Sequence, residues 1–139
     1  MLDRDALSAR LSALEGYLAE LRPFSARSRE EFVRDSALHH LGERLLHLAC
    51  ECVLDIAHHI IAEQGYRQAT GYRDAIAVLH EEGLLDEDLR ERLERWMGFR
   101  NVLVHFYLTT DHGRCHDAIR EDLVDFEEFA RRVARLLAD

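Results

Sequence analysis

The sequence lacks lysine entirely, and all 18 basic side chains among its 139 residues are arginine. It contains one proline and seven glycines, too few turn-forming residues for a β protein built from many short strands. Because 47% of the residues are hydrophobic, the composition also excludes a disordered chain. These absences favour a helical globule.

Basic charge is also scarce relative to acidic charge. The 27 acidic residues outnumber the basic ones and give a formal net charge of -9, which argues against broad coating of nucleic acid but leaves one local basic cleft open. No DNA partner is expected. Three cysteines are an odd number, and no secretory signal segment is recognisable, so a cytoplasmic location is expected. Apolar runs stay far below the roughly 18 residues of a membrane span, so no membrane association is expected.

Apolar residues recur at helical spacing in about five segments. The first segment begins at Asp3 and stops at Pro23, and the second runs from about Asp35 to Gln64 with Gly65 as its C-cap. Three more follow: a short segment that ends at Gly83, one from Asp86 to Val104, and a last one from about His112 to Leu137. This pattern predicts a single all-α domain over residues 1–139, an up-and-down antiparallel bundle of about five helices.

The second predicted helix is unusually rich in apolar residues. Its adjacent pairs spread beyond a single stripe: Leu45/Leu46, Val53/Leu54 and Ile60/Ile61. Such a helix either packs on a partner subunit as well as on its own bundle, or forms the centre of the bundle and is buried all round. The sequence leaves both interpretations open.

Strong polar groups interrupt an apolar run near the end of the fourth predicted helix. They are Arg100, Asn101, His105 and Tyr107, and burying Arg100 or His105 without a partner would be costly. On a straight helix, Arg100 and His105 differ by about 140° and do not face one point. Either the helix frays near its end, or a second copy of the motif across a dimer axis brings these groups together.

The pattern Arg-x-x-x-x-His-x-Tyr, with a polar residue directly after the arginine, resembles the signature of the HEPN ribonuclease superfamily, specifically its HepT-like toxin branch. The segment from Cys52 to Ile61 is similar to the second helix of that family. Tyr72, Arg73, Ala75, Leu79 and Gly83 fit its third helix. The length of the chain also matches the HEPN helical domain.

This resemblance implies a metal-independent endoribonuclease toxin without a cofactor, working as a homodimer whose two motifs face each other in a cleft between subunits. RNA would be cut by attack of its own 2'-hydroxyl, which leaves a 2',3'-cyclic phosphate. Arg100 and His105 would be catalytic. A partner antitoxin, a cognate minimal nucleotidyltransferase, would adenylylate Tyr107 and so add bulk and negative charge to the RNA cleft.

The residue types suit this chemistry on their own account. Histidine gains or loses a proton near neutral pH, so His105 can act as general base or acid. Arg100 stays charged and can hold two phosphate oxygens with its planar fork. Asn101 is expected to orient either His105 or the phosphate.

Two further groups of polar residues lie at helical spacing in the sequence. Asp55 and His59 are i,i+4 neighbours on the second predicted helix, where Asp55 would either support the cleft or satisfy an interhelical hydrogen bond. His112, Cys115 and His116 cluster at the start of the last one, but a structural zinc site normally takes four ligands, so no metal site is predicted.

Two other functions remain open on the sequence. One is a non-catalytic helical module that binds a nucleotide or phosphate in the same cleft as the accessory subunit of a nucleotidyltransferase. The other is a structural dimerisation domain that would tolerate loss of Arg100 or Tyr107. Only the toxin hypothesis requires that expression of this chain alone be harmful.

Overall fold

The computed structural model describes residues 2–139, and this part of the chain contains helices without any strand. The seven α-helices are α1 (Arg4–Leu21), α2 (Arg29–Arg34), α3 (Ser36–Gln64), α4 (Tyr72–Glu81), α5 (Glu87–His105), α6 (His112–Glu121) and α7 (Leu123–Ala138). Short 3-10 turns cover Arg22–Ala26 and Tyr107–Thr109. The all-α prediction is confirmed.

Capping residues set the helix ends where the sequence predicts them. The Asp35 carboxylate accepts hydrogen bonds from the backbone N–H groups of Ala37 and Leu38 at the start of α3. Gly65 ends α3 in the left-handed region, with φ at 68°, a conformation that costs glycine little. Asp86 likewise caps α5.

The long helix α3 forms the centre of the bundle. The three apolar pairs that suggested a wide apolar surface are all buried within the single chain: Leu45, Leu46, Val53, Leu54, Ile60 and Ile61. Helices α1, α4, α5, α6 and α7 all pack on α3. Within one chain, α3 is therefore the central helix of the bundle, and its most exposed large apolar side chain is Leu41, which is 53% exposed.

Helix α3 also has the length and composition of a membrane span, with a mean hydropathy of 1.5 over its most apolar window. The expectation of no such helix considered only uninterrupted apolar runs and missed this average. However, 56% of that window is buried inside the bundle, as in the core helix of a soluble protein. Length and hydropathy are therefore weak grounds for placing α3 in a membrane.

The prediction of about five helices is too low because the last predicted helix is two helices. The chain bends at Asp122, with φ at -117° and ψ at 4°, and so separates α6 from α7. This bend lets α6 pack against α2 while α7 packs against α1. The additional short helix α2 begins at Ser28, whose hydroxyl accepts a hydrogen bond from the Glu31 N–H, as in a capping box.

Candidate active site at the end of helix α5

Helix α5 carries Arg100, Asn101 and His105 of the polar motif and stays helical as far as His105. It continues to His105 and ends at Phe106, whose φ is -121° and ψ is 39°. Arg100 is only 9% exposed, whereas His105 lies on the surface. The two side chains therefore lie on different sides of the helix, as the rotation of about 140° requires, and the helix does not fray to bring them together.

The Arg100 guanidinium is held by three neighbours. Its Nε donates to Oε1 of Glu51 on α3 at 2.6 Å, and its Nη1 donates to Oδ1 of Asn101 at 3.2 Å. The ring of Tyr72 on α4 lies 4.5 Å from the Arg100 Cζ, a cation–π contact. Asn101, expected to orient His105 or a phosphate, here accepts from Arg100.

The donors that remain on Arg100 matter for chemistry. A guanidinium offers five N–H groups in a planar fork, and the two contacts above use one on Nε and one on Nη1. Within residues 2–139, Nη2 makes no hydrogen bond. The arginine is thus fixed in place, while its Nη2 has no hydrogen-bond partner among these residues.

Glu51 links Arg100 to a histidine that the sequence did not single out. The Oε1 atom that accepts from Arg100 also lies 3.3 Å from Nε2 of His47, and Nη1 of Arg44 lies 3.0 Å from Nδ1 of His47. Burial lowers the pKa of His47. The charge of Glu51 opposes this effect, and the charges of Arg44 and Arg100 add to it.

Sequence reasoning missed Glu51 as the partner of Arg100. The available signal was a single carboxylate between two cysteines, Cys50 and Cys52, in an apolar stretch of α3. A charged residue in such a position needs a counter-charge. Tyr72 was recognised only as part of the family resemblance, without a contact to Arg100.

His105 and Tyr107 lie on the open side of this helix end. Tyr107 is 71% exposed and lies in the 3-10 turn after α5. In the part of the chain that the structure describes, His105 takes part in no hydrogen bond or ion pair. A groove of about 300 Å³ beside Tyr107 is lined mainly by polar side chains, among them Arg44 and His47.

Large apolar side chains close to His105 and Tyr107 in the sequence are exposed. Val102 is 42% exposed, Phe106 is 60% exposed and Leu108 is 87% exposed. Exposed apolar side chains that form a large patch mark interaction sites on a protein surface. The end of α5 therefore presents apolar side chains on which a partner could pack.

Asp55 forms a contact between helices. Its Oδ2 accepts from Nε of Arg10 on α1 at 2.7 Å, and its Oδ1 lies 3.9 Å from Nε2 of His59. The contact with Arg10 is the interhelical pairing that was the alternative to a role in the cleft, whereas His59 lies on the same helix. Asp55 still shares a groove with Glu51 and Tyr72, so it lies near the Arg100 contacts.

The histidines and cysteine of α6 are engaged inside the bundle. His116 is 1% exposed and its Nε2 lies 2.8 Å from the backbone oxygen of Arg27. His112 hydrogen-bonds to Glu43 of α3, and Cys115 is buried. Residues 2–139 contain no group of three His, Cys, Asp or Glu side chains placed to hold a metal ion.

A family model described as ribonuclease HepT-like matches residues 14–133, which is most of the chain. The chain belongs to the HepT-like ribonuclease family. This confirms the resemblance inferred from the Arg-x-x-x-x-His-x-Tyr pattern. Both the central helix α3 and the motif at the end of α5 fall within the matched HepT-like region.

Two curated relatives illustrate the family. The mRNA nuclease HepT of Shewanella oneidensis is 31% identical over 84 residues, which are 60% of this chain and 63% of the relative. More than a third of that relative's length is thus unmatched. The tRNA nuclease HepT of Aphanizomenon flos-aquae is 25% identical over 127 residues, 91% of this chain and 86% of the relative.

The HepT-like fold is also found among solved structures. The tri-AMPylated HEPN toxin of Shewanella oneidensis, in complex with its MNT antitoxin, superposes with a TM-score of 0.87. That likeness covers 97% of this chain and 99% of the toxin at 23% identity. It confirms the HEPN-like bundle.

The Glu51 carboxylate contacts both Arg100 and His47. Loss of Glu51 and loss of Arg100 should therefore change the pKa of His47 in opposite directions. We expect Glu51→Gln to lower this pKa, because it removes the negative charge that favours the imidazolium. We expect Arg100→Ala to raise it, because it removes a repelling positive charge. NMR titration of the His47 ring measures both, and two shifts of the same sign, or none, would contradict this geometry.

Proposed function

We propose that this protein is the endoribonuclease toxin of a toxin–antitoxin pair, and that a cognate minimal nucleotidyltransferase neutralises it by adenylylating Tyr107. Membership in the HepT-like ribonuclease family supports the enzyme class. The solved complex of an AMPylated toxin with its antitoxin supports the class of partner. The protein acts as a homodimer on RNA and needs neither a metal nor a cofactor.

The observation that carries this proposal is the pairing, on one helix end, of a fixed arginine with a free histidine. Arg100 is held by Glu51 and retains unused donors. His105 is exposed and has no internal hydrogen bond among the described residues. A structural histidine would be satisfied by its neighbours, whereas a general acid or base must be open to substrate.

A second copy of the chain completes the site in this proposal. Arg100 and His105 of one chain lie on different sides of α5, so one chain alone does not direct both groups at one phosphate. The exposed side chains of Val102, Phe106 and Leu108 beside His105 offer apolar surface for a partner to bury. A two-fold axis at this surface would bring the two motifs together in one cleft.

The chemistry follows from these groups. His105 takes the proton of the RNA 2'-hydroxyl, whose oxygen attacks the adjacent phosphorus and displaces the 5'-oxygen of the next nucleotide. Arg100 stabilises the negative charge that builds on the phosphate oxygens. The product carries a 2',3'-cyclic phosphate, and a protonated histidine supplies the proton for the leaving oxygen.

Adenylylation of Tyr107 switches off RNA cleavage in this proposal. Its side chain is 71% exposed, so its hydroxyl is accessible to a modifying enzyme. It lies two residues after His105, and each added AMP would bring a phosphate charge close to the catalytic groups. That charge repels RNA and competes for the unused donors of Arg100.

The first prediction concerns catalysis. His105→Ala should reduce RNA cleavage by at least about 100-fold, because general acid–base catalysis contributes roughly that much or more. The variant should keep its fold, since the side chain is exposed and makes no hydrogen bond or ion pair within residues 2–139. Cleavage of labelled RNA and circular dichroism measure the two effects, with His58→Ala, an exposed histidine on α3, as the matched control.

Retention of full cleavage and toxicity by His105→Ala would contradict the mechanism. Harmless expression of the parent chain, with RNA left intact, would instead favour a non-catalytic module that only binds a phosphate.

The second prediction concerns the modification. The intact mass of the protein should increase by whole AMP units when the neighbouring nucleotidyltransferase is co-produced. Tyr107→Phe should abolish that increase, because it removes the accepting oxygen, and should leave the toxin active in the presence of the partner. Tyr72→Phe, on α4, serves as the matched control, and an AMP-modified Tyr107→Phe protein would show that Tyr107 is not the acceptor.

A further inference from the structure

Arg73, the second residue of α4, lies across the surface of α5. Its guanidinium covers Gly98, so that a Cβ atom at position 98 would lie 2.4 Å from Nη2 of Arg73. The three heavy atoms nearest to that position outside α5 all belong to the Arg73 guanidinium. The missing side chain at Gly98 therefore makes the space in which the guanidinium lies.

Gly98 shares a face of α5 with two residues of the motif. At 100° per residue, His105 is rotated only about 20° from Gly98, and Asn101 is rotated about 60° on the same side. His105 lies two turns farther along this face, about 10 Å away along the helix axis. The Arg73 guanidinium is thus on the side of α5 that His105 occupies, whereas Arg100 lies toward the core.

Arg73 has no acidic partner of its own. It is exposed, and no ion pair or hydrogen bond joins it to any residue that the structure describes. The neighbouring Asp74 is held by Arg67 at 2.8 Å, and Glu94, one turn before Gly98 on α5, is held by Arg90. Both nearby carboxylates are therefore already engaged.

We propose that Arg73 binds a phosphate of the RNA strand next to the one that is cleaved. This inference rests on the proposed ribonuclease function. An unpaired guanidinium keeps its whole fork for two phosphate oxygens. In a chain with a net charge of -9, a free cation on the face of His105 gives local attraction that the rest of the surface does not provide.

The test measures RNA binding without cleavage. In a His105→Ala background, Arg73→Ala should weaken binding of a mixed-sequence single-stranded oligoribonucleotide by about fivefold at low salt. It should also make the slope of log affinity against log salt shallower by about 0.7, the contribution of one phosphate contact on a single strand. Arg73→Lys keeps the charge but loses the planar fork. Its affinity for the oligoribonucleotide should therefore lie between that of Arg73→Ala and that of the His105→Ala background.

Arg131→Ala is the matched control, since Arg131 is an exposed arginine of α7 without an ion pair in the described part of the chain. The RNA affinity and the salt slope of Arg131→Ala should equal those of the His105→Ala background. If Arg73→Ala also matched the background in affinity and salt slope, the inference about Arg73 would be overturned and the ribonuclease proposal would stand. Failure of the His105→Ala background to bind any RNA would overturn both.

A second variant tests the position of the guanidinium while keeping its charge. Gly98→Ala should displace Arg73, because the added methyl group occupies the space of Nη2. Alanine is the better helix former, so the melting temperature should not fall. We expect weaker RNA binding at unchanged or higher stability, and unchanged binding would contradict the role of Gly98 in seating Arg73.

Discussion

The ion pair between Arg100 and Glu51 is the constraint on which the site depends. A guanidinium that is nine-tenths buried cannot remain without a counter-charge, and the central helix α3 supplies one at 2.6 Å. This contact, together with the Tyr72 ring, ties the end of α5 to both α3 and α4. Because Arg100 is fixed toward the core, His105 and Tyr107 are left on the outer side.

The same ion pair bears on the proposed function, which requires an acidic protein to offer a guanidinium to RNA. Glu51 and Asn101 occupy only part of the Arg100 fork, so the arginine is oriented without being fully consumed. Arg44 adds positive charge on α3, one turn before His47, whose ring its side chain contacts. Two other arginines of α5 are used in ion pairs, Arg90 with Glu94 and Arg92 with Asp125 and Glu128.

Much of the fold could be predicted from local patterns. Three capping residues mark helix ends by local chemistry that the sequence shows: Asp35, Gly65 and Asp86. The two aspartates accept hydrogen bonds from backbone N–H groups, and the glycine adopts the left-handed conformation. The bend at Asp122 could not be predicted, because Ile119 and Leu123 on either side of it keep the i,i+4 spacing of one continuous helix. Local periodicity contains no signal for a break that tertiary packing imposes.

The candidate site residues follow from the sequence, whereas their spatial arrangement follows only in part. The rotation between Arg100 and His105 follows from helix geometry alone, and the structure bears it out. The partner of Arg100 did not follow, because Glu51 is 49 residues away along the chain. The sequence also did not show that the apolar pairs on α3 are buried within one chain. A central helix and a helix that packs on a partner subunit have the same composition.

The most direct test of this account uses a mixed dimer. Arg100→Ala and His105→Ala chains, each carrying a different affinity tag, are co-produced, and the dimer with both tags is isolated and assayed for RNA cleavage. If Arg100 of one chain acts with His105 of its partner, the mixed dimer keeps one intact pair and should cleave RNA well above either single variant. A mixed dimer as inactive as its parents, or the absence of any dimer, would contradict a site shared between two chains.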